Sequence, residues 1–92
     1  MKIVRTATAG TLESSDCMVT VIPAGLPGVE LEIDSVVLAQ YGEQIRRVAS
    51  DTAAQLGAEG ARVRVQDRGA YDCVIAARVE AALLRAAKEE AS

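Results

Sequence analysis

"VELEIDSVVLAQYGEQIRRVASDTAAQLGAEGARVRVQD", residues 29–67, changes its period twice, and those changes decide the fold. Over residues 29–34 apolar and acidic side chains alternate, with Val29, Leu31 and Ile33 facing one way and Glu30, Glu32 and Asp34 the other. A period of two is that of a strand with one wet face. From Ser35 to Leu56 the spacing lengthens to three and four, through Val37, Leu38, Tyr41, Ile45, Val48, Thr52 and Leu56. That spacing draws one apolar stripe along a helix. Asp34 or Ser35 is placed to cap its start by accepting a free backbone N–H, and Gly57 suits its end. Gly42 weakens the middle, since glycine costs about 1 kcal/mol against alanine inside a helix. Residues 61–67 return to alternation, Val63 and Val65 inward, Arg62, Arg64 and Gln66 outward.

Upstream, "PAGLPG" at 23–28 is loop chemistry, and "CMVTVI" at 17–22 is rich in β-branched strand formers. "TATAGTL" at 6–12 reads as a further strand with a weak centre at Gly10. Between the last two lies "ESSD", whose side chains bond local backbone and favour turns. A hairpin with Ser14 and Ser15 at its tip is the simplest outcome. Downstream, Arg68-Gly69 breaks the strand, and residues 71–92 read as a second helix burying Ile75, Val79, Ala82, Leu83 and Ala86. Asp72 near its start and Lys88 near its end suit the helix dipole, whereas Glu89 and Glu90 do not.

The order β-β-β-α-β-α predicts an α+β fold. It is a two-layer sandwich, a mostly antiparallel sheet of about four strands with both helices on one face. Residues 1–92 read as a single domain. Strand 61–67 joins the sheet beside 29–34 in a split arrangement, which sets Arg62 and Arg64 on the face of Glu30 and Glu32.

Composition narrows the function. The only aromatics are Tyr41 and Tyr71, expected at the core edge, so the core is thin and aliphatic. A net charge of −3 argues against a nucleic-acid partner, which requires clustered Lys and Arg. No apolar run is long enough for a membrane span, and "MKIVRTATAG" lacks the apolar centre of a signal peptide. A cytoplasmic location is expected, with Cys17 and Cys73 as two buried thiols.

The chain has no His, which removes the commonest general base and most metal sites. Glu13 and Asp16 flank the serines, but an exposed turn cannot hold a carboxylate at a raised pKa. A Ser–Asp pair with no base between them is no nucleophilic device. Two readings remain for the tip: an ordinary solvated turn, or a serine displayed for another enzyme to modify. Arg78 and Arg85, seven apart on one helix face, read as a solvated face or as contacts for an acidic partner.

"AGTLESSDCMV" at 9–19 and "GAYDCVIAARVEAALLRAA" at 69–87 together resemble the acyl carrier (gamma chain) family of citrate lyase. The resemblance runs along nearly the whole chain. It implies a non-catalytic carrier in which Ser14, within Glu13-Ser14-Ser15-Asp16, is the attachment residue. The implied cofactor is a covalently bound 2'-(5''-phosphoribosyl)-3'-dephospho-CoA, whose terminal thiol holds acetyl or citryl thioesters. Implied partners are the acyl-transferase (alpha) and lyase (beta) subunits and a prosthetic-group transferase. The family often has Gly or Asn after its attachment serine; here that position is Ser15, which tolerates a positive φ less well than glycine. The malonate decarboxylase carrier, or an unmodified interaction subunit, is the alternative.

Overall fold

The computed structural model describes residues 1–87; the Leu38 side chain of the expected stripe, and Lys88, Glu89 and Glu90, lie outside the described set. The elements are β1 (Ala7–Gly10), β2 (Cys17–Pro23), β3 (Val29–Ser35), α1 (Leu38–Gln55), β4 (Ala61–Asp67) and α2 (Asp72–Ala86). The strands form one sheet in the order β1-β2-β4-β3. β4 enters between β2 and β3, antiparallel to the first and parallel to the second. A parallel pair needs a crossover, and α1 supplies it.

Alternation makes the core. On one face of the sheet Val19 and Val21 of β2 stand opposite Val65 and Val63 of β4. Leu31 and Ile33 of β3 flank the β4 valines on the other side. All four valines are fully buried. α1 packs over β3, α2 over β1 and β2, and the helices touch each other, which completes the expected α+β sandwich.

α2 buries Ile75, Val79, Ala82, Leu83 and Ala86, the expected stripe. α1 differs. Its buried residues are Ile45, Ala49 and Ala53, and Tyr41 is 55% exposed. Small alanines let the helix lie close on the sheet, while Val48 and Leu56 fill the flanks. The start of α1 is also a correction, because neither Asp34 nor Ser35 caps it. The helix opens at Leu38 behind Val37, with no side-chain cap. Ser35 belongs to β3, where its hydroxyl accepts the Val37 N–H at 3.1 Å and donates to Asp67 at 2.8 Å. Gly57 does end the helix, at φ +64°. The Ala58 and Gly57 N–H groups reach the Ala53 and Ala54 carbonyls at 3.0 Å, a Schellman closure.

Residues 1–5 carry no sequence signal, yet they are built in. Ile3 joins the core and bridges to Ala87, and the Val4 N–H bonds the Ala86 carbonyl at 2.9 Å. On the open face of the sheet Glu30 neighbours Arg62 and Glu32 neighbours Arg64. Arg62 and Glu30 form an exposed ion pair at 3.4 Å, which contributes a few tenths of a kcal/mol.

Candidate functional site

The expected hairpin forms between β1 and β2, and its tip is Glu13-Ser14-Ser15-Asp16. The Asp16 N–H bonds the Glu13 carbonyl at 3.2 Å, closing a four-residue turn. Ser15 sits at φ +66°, the position where a type II turn demands a positive φ and usually takes glycine. Gly10, at the hairpin's other shoulder, has φ +95°, and a Cβ there would run into the Cys17 carbonyl. Ser14 and Ser15 are both exposed.

The tip is pinned from two directions. On the sheet side, the Ser15 N–H donates to the Arg68 carbonyl and the Arg68 N–H to the Asp16 carbonyl, each at 2.9 Å. These bonds extend the β2–β4 ladder one step beyond its last pair, Cys17 with Asp67. On the helix side, Arg78 of α2 grips the Asp16 carboxylate with Nε and one terminal nitrogen, both at 3.0 Å. Thr11 Oγ1 donates to the same carboxylate at 2.7 Å, and so does the Cys17 N–H. Arg78 first, then Thr11 and the Cys17 amide, hold the Asp16 carboxyl down at about 2. Two turns further along α2, Arg85 donates to the Thr8 carbonyl of β1 at 2.8 Å.

Arg78 and Arg85 therefore do more than form a solvated face, although Arg85 stays exposed and Arg78 partly so. They clamp the hairpin to α2. None of the bonds described at the tip involves the Ser14 hydroxyl, which projects into solvent from a fixed backbone.

Beside the tip lies a second arrangement that the sequence reading did not single out. Asp67, the last residue of β4, is 1% exposed. Its Oδ2 accepts from Ser35 Oγ at 2.8 Å and the Gly69 N–H at 3.0 Å, and its Oδ1 from the Ala70 N–H at 2.9 Å. This shapes the turn from β4 into α2. The signal was present in the phase of the strand: inward positions 61, 63 and 65 are followed by 67.

The turn and the start of α1 enclose an open cleft of about 740 Å³. Val37, Tyr41 and Ile45 form one wall, and Gly69, Ala70 and Tyr71 the other. Gln44 Nε2 spans the gap to Asp72 Oδ2 at 2.6 Å. Tyr41 and Tyr71 are not core edge as expected, being 55% and 76% exposed at the lips of this cleft. Asp72 lies where the helix dipole favours it, one residue past the cap of α2. Tyr71 occupies the cap position without a side-chain bond. Cys17 is buried, which pushes its thiol up to about 11, the nearby Asp16 and Asp67 carboxylates adding to the effect. Cys73, expected to be buried, is exposed on the rim of the cleft, because the core side of α2 begins with Ile75.

Chemically the tip offers a hydroxyl, and among the described residues no base is hydrogen-bonded to it. The Asp16 oxygens are taken up by Arg78, Thr11 and the Cys17 amide, so none is left to deprotonate Ser14. Among the described residues no His, Cys, Asp and Glu side chains gather to hold a metal, and no helix is long and apolar enough to cross a membrane.

The chain is similar to known proteins along most of its length. Residues 4–86 match the family model described as "Malonate decarboxylase delta subunit (MdcD)". A citrate lyase acyl carrier protein of Escherichia fergusonii is 52% identical over 97% of this chain and 92% of its own length. One from Klebsiella pneumoniae is 57% identical over 90% of this chain and 86% of its own length. One from Streptococcus mutans is 48% identical over 98% of this chain and 88% of its own. A solved structure from Thermus thermophilus superposes with a TM-score of 0.59 at 14% identity, over 92% of this chain. This chain spans only 16% of that protein, and the likeness is one of fold. A small domain that displays a pinned hydroxyl and has relatives named in this way is a carrier, not a catalyst. The chain belongs to the citrate lyase acyl carrier protein family.

Proposed function

We propose that this chain, residues 1–92 acting as one domain, is the acyl carrier subunit of citrate lyase and that Ser14 Oγ bears 2'-(5''-phosphoribosyl)-3'-dephospho-CoA through a phosphodiester. The observation that carries the reading is the exposed Ser14 on a tip fixed at both ends. An exposed oxygen admits a prosthetic-group transferase without unfolding the domain. A pinned backbone gives whatever is attached a defined pivot. When bound, the group supplies a terminal thiol that holds acetyl or citryl as a thioester.

The chain's own part is mechanical. Asp16 and Arg78 fix the turn, Ser15 completes it, and Ser14 presents the oxygen. The acyl-transferase and lyase subunits, in the cytoplasm, act on the arm. Leu12, an exposed apolar side chain next to the tip, offers them a contact. The family model favours a second reading, a malonate decarboxylase carrier with the same serine.

Mass spectrometry of the chain produced together with its lyase subunits and prosthetic-group transferase tests the proposal. One phosphorus-containing adduct is expected on the Ser14 peptide, lost in Ser14→Ala and kept in Ser15→Gly. The Ser14→Ala assembly should have no citrate cleavage. An active assembly whose carrier is unmodified would refute the reading, and malonyl in place of citryl thioesters would favour the second.

A further inference from the structure

The Ser14 tip and the cleft between α1 and α2 are contiguous. The Ser15 N–H bonds the Arg68 carbonyl, and the next residue, Gly69, already lines the cleft. Measured along that path, Ser14 and the cleft wall are no more than about 13 Å apart. The cleft lips carry both aromatic residues of a chain whose core is otherwise aliphatic. Aromatic rings left in solvent at the lips of one cleft are what a flat ring stacks against.

Charge selects among candidates. Asp67 and Asp72 line the cleft and no Lys or Arg does, so phosphates and acyl carboxylates are repelled. The Asp67 oxygens are already occupied by Ser35, Gly69 and Ala70. Asp72 is bound by Gln44 through Oδ2, and its Oδ1 is engaged by no described residue. That oxygen can accept from an exocyclic amine. An uncharged, amine-bearing aromatic base meets all three conditions.

We infer that the cleft is the berth for the adenine ring of the arm on Ser14, stacked against Tyr41 and Tyr71 with its amine donating to Asp72. This inference rests on the attachment reading above. In that group a phosphate and two ribose rings lie between the serine oxygen and the purine, and the pantetheine branches from the second ribose through a diphosphate, which stays outside the acidic cleft. Docking the near ring leaves the thiol end free to move, and it shortens the swing by moving the pivot from the serine to the cleft.

The chain contains no Trp, so its intrinsic emission comes from these two tyrosines alone. Carrier loaded in the presence of its lyase subunits and transferase and then purified should lose about half of that emission relative to bare carrier. NMR of the loaded carrier should show cross-peaks from the adenine H2 and H8 protons to both tyrosine rings. In Tyr71→Ala the adduct mass should persist while the cross-peaks vanish; the ring is exposed, so the variant retains its core. Asp72→Asn should weaken the cross-peaks without removing them. A loaded carrier with unchanged emission and with adenine signals like those of free dephospho-CoA would overturn the berth and leave the attachment standing. A carrier with no adduct would overturn both.

Discussion

Asp16 and Arg78 decide whether Ser14 has a fixed address. Because the folded state holds the Asp16 carboxyl at about 2, the pair stabilises the fold above the ordinary aspartate value of about 3.9. Its contribution fades as the pH falls toward 2. In Arg78→Met the Asp16 carboxyl should rise part of the way toward about 3.9, with Thr11 and the Cys17 amide still holding it down, read from its side-chain carbon shift in an acid titration. Ser15 tells a related story. Its positive φ is one that the third residue of a tight turn often takes, whereas the Arg78 partnership leaves no local trace. Sixty-two positions separate Arg78 from Asp16, and no local pattern links them.

At the scale of elements, alternation and helical period marked out β2, β3 and β4 nearly to their boundaries, and the start of α2; its end at Ala86, with Ala87 already extended, comes earlier than the expected run to residue 92. The ends of helices were less legible. Ser35 and Asp34 looked like caps because both side chain types favour that position. The hydroxyl of Ser35 is instead drawn back to Asp67, a residue more than thirty positions away. Asp67 itself reads as a polar strand terminus until the inward phase of β4 is carried one step further. It stitches β3, β4 and the turn into α2 together through three accepted bonds. Asp67→Ala would leave two backbone N–H groups and a hydroxyl without their acceptor, and should cost about 3 kcal/mol in urea denaturation. The cleft walls should loosen with it, seen as faster amide exchange at Gly69 and Ala70.

For the whole molecule, the thin aliphatic core sets the margin. At roughly 0.05–0.15 kcal/mol per residue, a domain of this size holds about 5–14 kcal/mol. Leu83, fully buried on α2, is among the largest side chains in the core. Leu83→Ala should cost about 2–5 kcal/mol and lower the Tm by about 10 °C or more, measured by calorimetry. The two-layer form was legible because each layer announced its own period. The function of the far end of α2 was not, because Arg85 and Arg78 look on paper like any solvated pair.

Both of those arginines sit on one element, α2, while what they hold lies on β1 and the turn after it. Loosening α2 would therefore be felt at the Ser14 hydroxyl with the β1–β2 pairing left intact. The helix governs, from a distance, where that oxygen stands.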